Sequence, residues 1–167
     1  PSRAVALPRH ILSLPGPVGH RRPGLALLQA GKNEPAALVE AYRRPTPRLA
    51  EGRALAPHVH AMMDISDGLL IDAARMASAS GVAMVIEDIP LSDALIALEG
   101  ESIDSRIRAA QAGDDYQLLF AAPAGLALPV PAMRIGRATQ GRGLSLHLDG
   151  APVPLPDRLG YEHRPAD

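Results

Sequence analysis

The chain has 167 residues, 47% of them apolar and 21% charged, with 17 basic against 18 acidic side chains. That is the composition of one folded domain of ordinary size, without the excess of positive charge that drives nucleic-acid binding. The lack of cysteine excludes disulfides, thiolate metal sites and cysteine nucleophiles, and an aromatic content of 2% argues against a base-stacking platform.

The first 33 residues hold Arg3, Arg9, Arg21, Arg22 and Lys32 but no acid. They also carry Pro1, Pro8, Pro15, Pro17 and Pro23, and proline breaks helices and central strands. Residues 1–23 are therefore expected to form a poorly structured leader. A transit peptide would need an amphipathic helix, which these prolines oppose. Order begins at Gly24. An apolar run spans 24–30, and Glu34 to Arg43 reads as a helix with Pro35 in its first turn. Arg44-Pro45-Thr46-Pro47-Arg48 must be extended or turning, because proline disfavours helix in the residue before it. Ala61 to Ile65 is a buried strand running into a turn, and Gly68 to Ser80 a helix with Gly81 at its C-cap.

Val82 to Glu87 reads as a second strand. Leu91 to Leu98 reads as a short helix capped by Ser92, and Ile103 to Ala112 as a helix closed by Gly113. Tyr116 to Ala122 is a strand stopped by Pro123. Strands are expected at Met133 to Ala138 and Leu144 to Asp149, with Asp149-Gly150 turning toward Val153. Helices alternating with strands imply an α/β layered domain. No run approaches the roughly 20 apolar residues needed to span a bilayer.

Charge is unevenly distributed. Between Asp64 and Asp115 eleven acids face three bases. Such a block is ordinarily a solvated face, but hard cations such as Mg²⁺ also take carboxylate oxygens. Asp64 ends a strand, and Asp67 stands three residues on, where a helix begins whose free N–H groups favour anions. Ser66 or Asp67 is placed to cap that helix. Asp114 and Asp115 sit at the mouth of another strand, where adjacent acids need water, a cation or a donor. Arg44 and Arg48 could meet phosphate in a forked contact, although surface arginine is the simpler reading. His58 and His60 lack a third ligand nearby and read as ordinary side chains.

Four ordered motifs carry a resemblance. Arg44 to Arg48, Asp64-Ile65-Ser66-Asp67-Gly68-Leu69, Pro90-Leu91-Ser92, and Gly113-Asp114-Asp115-Tyr116-Gln117-Leu118-Leu119-Phe120 are similar to the C-terminal half of thiamine-monophosphate kinases. Arg134-Ile135-Gly136 and Gly160-Tyr161-Glu162-His163 fit the closing segments of that family. The resemblance runs from about Gly24 to His163. It implies the α/β helix-sheet sandwich of the C-terminal domain of aminoimidazole ribonucleotide synthetase-related proteins, with 24–163 as the domain and 164–167 as a tail. Residues 1–23 would then be a leader or a remnant of a missing N-terminal ATP-binding domain.

The same resemblance implies ATP-dependent phosphorylation of thiamine phosphate to thiamine diphosphate with Mg²⁺, in the cytoplasm. By the family motif Asp64 and Asp67 would hold the metal and Ser66 would contact ATP. Asp114 would hold the thiamine part of the substrate, and Tyr161 would stack on it or line its pocket. A homodimer is expected only of the full-length enzyme, and this chain alone is expected not to turn over. No nucleic acid or membrane partner is expected. The rival expectation is a non-catalytic, degenerate fragment that binds a phosphorylated ligand or a partner chain. A related enzyme acting on another small phosphorylated substrate, or on selenide, is a third. The kinase reading requires Asp64, Asp67 and Asp114 to converge on one open hollow.

Overall fold

Between Pro8 and Pro15 lie six residues free of proline, and five of them form strand β1 (His10–Leu14). The computed structural model describes residues 1–162. His163 of the closing motif and the 164–167 tail lie outside the described residues. β1 corrects the expectation of a poorly structured leader at 1–23. Leu12 and Leu14 are fully buried, because the prolines flank the apolar run instead of interrupting it. Pro23 is likewise harmless. It falls in the first turn of helix α1 (Arg21–Gln29), where a backbone N–H would have no helical partner.

Helices α2 (Ala36–Arg43) and α3 (Leu49–Leu55) follow, on either side of the extended Arg44 to Arg48 segment. Next come strand β2 (Ala61–Asp64), helix α4 (Leu69–Ser80) and strand β3 (Ala83–Ile86). Gly81 ends α4 in a left-handed conformation, as its position predicts. Helices α5 (Asp93–Glu99) and α6 (Ile103–Gln111) are both capped by serine, Ser92 on the Leu95 amide and Ser102 on the Ser105 amide. Strands β4 (Leu118–Pro123), β5 (Met133–Thr139), β6 (Gly143–Leu148) and β7 (Ala151–Val153) complete the described fold.

The strands form one sheet in the order β2-β4-β1-β5-β3-β6-β7. β1 lies antiparallel to β4 and β5, and β3 runs antiparallel to β5 but parallel to β6. Alternating residues of these strands, including Leu12, Leu119, Ile135, Met84 and Leu146, meet Leu69, Leu70, Met76 and Ala110 from α4 and α6 in the main core. A smaller cluster of Leu27, Leu38, Val39 and Leu95 joins α1, α2 and α5. A third, around Leu55, Val59, Phe120 and Ala122, holds α3 against the β2 and β4 end of the sheet. This is the α/β layered architecture that the alternation of elements implies. Among the described residues no helix is long and apolar enough to cross a membrane.

Candidate functional site

The turn from β2 into α4 is held by three backbone hydrogen bonds to two distant segments. The Ile65 amide donates to the Gln117 carbonyl at 2.8 Å, the Asp114 amide to Ser66 at 2.7 Å, and the Tyr161 amide to Asp67 at 2.8 Å. Glycine is required at both flanking approaches. A Cβ on Gly113 would stand 2.8 Å from the Ser66 carbonyl oxygen, and one on Gly160 would collide with the Asp67 carbonyl and the Ile71 side chain. Two distant segments of chain, 113–117 and 160–161, therefore converge on residues 65–67.

Neither Ser66 nor Asp67 caps α4, contrary to the expectation. Gly68 is the N-cap residue and no side chain bonds there. The job passes to Asp72, in the first turn and fully buried. Its Oδ2 accepts from the amides of Ser66 at 2.9 Å and Asp67 at 3.1 Å. Arg75 completes the arrangement, donating through Nη1 to Asp72 Oδ1 at 2.8 Å and Asp67 Oδ2 at 2.5 Å. The Asp67 hydrogen bond, with that of Asp72, holds the Arg75 guanidinium above its ordinary pKa despite some burial. Spacing carried a signal for this pair, since Asp72 and Arg75 stand at i, i+3 on one helix face.

Residues 113–117 divide their two acids between separate tasks. Asp114, with φ at +65°, leaves its side chain 71% exposed. Asp115 turns inward and accepts from the amides of Gly19 at 2.6 Å and His20 at 3.1 Å. Burial pushes its pKa up to about 6, against the opposing pull of those amides and of Arg21. Asp115 thus ties the start of α1 to the mouth of β4. Tyr116 is also left-handed, at φ +56°. Non-glycine residues rarely adopt this region, and where they do the surrounding structure must hold them.

A hollow of about 560 Å³ opens at this convergence, lined by Ser66, Asp67, Asp114 and Tyr161, with Arg21 and Tyr42 opposite. Four of the five expected site residues meet here. Asp64 does not line it, so the expected three-way convergence is met only by Asp67 and Asp114; Asp64 ends β2 before the turn and is left exposed outside the hollow. Arg21 was invisible in the sequence because it lies in the stretch read as a leader. Its Nη1 donates to the Asp114 carbonyl at 3.2 Å and stands 3.8 Å from that carboxylate. Its guanidinium lies 5.2 Å from the ring centres of both Tyr42 and Tyr116, within cation–π range.

His60 pairs with His10, not with the neighbouring His58. His60 Nδ1 lies 3.0 Å from His10 Nε2, and His10 Nδ1 accepts from the Leu7 amide at 3.0 Å. Among the described residues no group of three or more His, Asp or Glu is placed to hold a metal ion. For Mg²⁺ the available donors are the carboxylates of Asp64 and Asp67, the hard oxygen type this ion takes, and one or two such groups are its usual protein share beside phosphates. Asp64 is accessible to an ion; Asp67 is already engaged by Arg75.

Comparison with known proteins gives consistent results. Residues 24–149 match the family model described as AIR synthase related protein, C-terminal domain. The chain is 34% identical to a thiamine-monophosphate kinase of Caulobacter vibrioides, covering 96% of the chain and 50% of that protein. It is 36% identical to one of Aquifex aeolicus, covering 89% of the chain and 49% of that protein. A solved structure of AaThiL complexed with AMPPCP and TMP superimposes with a TM-score of 0.82 at 34% identity, over 97% of this chain and 53% of that one. The chain spans about half the length of the curated relatives it matches.

Proposed function

The chain belongs to the AIR synthase related protein family, matching its C-terminal domain, and from that premise we propose that it is the C-terminal half of a thiamine-phosphate kinase. The reaction is ATP-dependent phosphorylation of thiamine phosphate to thiamine diphosphate. One observation carries this reading: Ser66, Asp67, Asp114 and Tyr161, drawn from three separate segments, line a single hollow.

In-line phosphoryl transfer depends on positioning and charge neutralisation more than on a strong base. Ser66 is exposed on a turn fixed by two other segments, so its hydroxyl can donate to a phosphate oxygen of ATP without being reorganised. Asp64 and Asp67 would hold Mg²⁺, Asp67 by exchanging Arg75 for the ion. When bound, the ion would offset the negative charge of the phosphates. Asp114 presents its carboxylate to the cationic thiamine ring system, and Tyr161, 60% exposed, offers a face for it to stack on. Arg21 closes the opposite wall with a positive charge suited to the substrate phosphate.

Thermal unfolding of the chain with thiamine phosphate, ATP and Mg²⁺ tests this reading. A ligand at 100 times its Kd adds about 2.7 kcal/mol of apparent stability. Thiamine phosphate should raise the midpoint of the wild-type chain, and Asp114→Ala and Tyr161→Ala should each abolish the rise. No rise with wild-type protein would sink the proposal. The Asp67–Arg75 ion pair favours a second reading, in which the chain binds the phosphorylated ligand without catalysis. Binding that is indifferent to Mg²⁺ would mark that case.

A further inference from the structure

Among the described residues two buried side-chain nitrogens find no hydrogen-bond partner: His20 Nε2 and Arg21 Nε. Both residues line a second hollow, of about 270 Å³, between the start of α1, the end of α2 and the Arg44 to Arg48 segment. An unsatisfied buried polar group costs about 1–3 kcal/mol, and two in one lining need an explanation.

The remaining walls are rich in donors. Arg44 is exposed and forms no ion pair among the described residues, and Thr46 adds a hydroxyl. Arg48 is committed, through Nε to Gln117 and through Nη1 to Glu51, so it supplies positive field more than a free contact. Two acids, Glu40 and Asp115, also line the hollow. The Asp115 oxygens are taken up by the Gly19 and His20 amides, and three arginines outnumber the pair. At roughly 30 Å³ per water the space far exceeds a single water site.

We propose that this second hollow binds a phosphate-type oxyanion, held by Arg44, Thr46 and the His20 ring. Donors reach it from two sides, the start of α1 and the Arg44 to Arg48 segment, which suits a tetrahedral ligand with several acceptors. Burial, and then the charge of Arg48, hold the His20 pKa below its ordinary value; a bound anion opposes both effects. The site is distinct from the hollow at Ser66 and Asp67, and Arg21 stands in the wall between them. The inference does not depend on the kinase reading.

The test is a titration of the whole chain with inorganic phosphate, followed by NMR on the His20 imidazole. The His20 resonances should shift saturably, and Arg44→Gln should weaken the effect by roughly tenfold or more, the loss of one charge-assisted hydrogen bond. Tyr161→Ala should leave it unchanged. An unmoved His20 in the wild-type chain would overturn the proposal, as would equal binding of acetate or indifference to Arg44→Gln. Thiamine phosphate forms a second arm. If it moves His20 while inorganic phosphate does not, the hollow is an extension of the first site and the proposal fails. If it binds nowhere, the kinase reading falls while the His20 response to phosphate stands.

Discussion

Asp72 and Arg75 are joined at 2.8 Å beneath the β2–α4 turn, and the same guanidinium nitrogen reaches Asp67 at 2.5 Å. The buried carboxylate therefore shapes the turn from below while the site residues face outward. Arg75 is 37% exposed, so its pairs are partly screened, but Asp72 is not exposed at all.

Asp72→Ala removes the acceptor for two backbone amides and leaves Arg75 with one carboxylate partner. The expected loss is about 3 kcal/mol of unfolding free energy, from unsatisfied donors and a broken partly buried pair. Urea denaturation should show a lower midpoint with an unchanged m-value. A change under about 0.5 kcal/mol would show that water replaces the carboxylate freely.

Strand β1 yields the next prediction. Leu12 is fully buried in the main core, so Leu12→Ala should cost about 2–5 kcal/mol, the range for a core leucine. A surface strand would lose almost nothing.

That strand also marks where the sequence stopped being legible. The strands β2 to β6, the helices α4, α5 and α6, and the Gly81 C-cap follow from apolar periodicity and local turn chemistry. β1 is hidden by the prolines around it, which suggest a leader but all fall outside residues 9–14. Whether a strand is central depends on distant partners, here β4 and β5, which no local pattern reveals. In the site, Ser66, Asp67, Asp114 and Tyr161 were legible from motifs, and their meeting around one hollow is a tertiary fact. Arg21 and Asp72 are not legible because burial, not residue type, gives each its role, whereas the need of Asp115 for a donor is legible and only the identity of the Gly19 and His20 amides is not.

Asp115 should make stability depend on pH in an unusual direction. Its folded pKa is about 6 against an ordinary 3.8, so between these values the folded state binds more protons than the unfolded one. Stability from this group falls as pH rises through that window, by at most about 3 kcal/mol. Asp115→Asn lacks the penalty, so its stability relative to wild type should improve from pH 4 to pH 7. A difference that stays flat with pH would remove Asp115 as the cause.

His10 acts in the opposite sense. Its Nδ1 accepts from the Leu7 amide, so its proton sits on Nε2 and is donated to His60 Nδ1. A second proton on His10 would set two donors against each other. Burial first, and then the His60 charge, depress its pKa below the ordinary 6.5. The contribution is complete above that value and is lost as pH falls below it. NMR titration should place the His10 midpoint below 6.5, and His10→Gln should flatten the acid loss of stability. A midpoint at or above 6.5 would contradict the buried, singly protonated His10.

Gly160→Ala separates the packing of the site from its chemistry. The added methyl meets the Asp67 carbonyl and the Ile71 side chain at distances no real Cβ tolerates, so the segment carrying Tyr161 must move. Overpacking of this kind costs about 1–3 kcal/mol. The Tyr161 amide would also lose its 2.8 Å bond to Asp67, although every polar side chain of the hollow is unchanged. The variant should stay folded and lose the stabilisation by thiamine phosphate, as Tyr161→Ala does. Full retention of that response, measured by thermal unfolding, would mean that the ring needs no fixed backbone to reach its ligand.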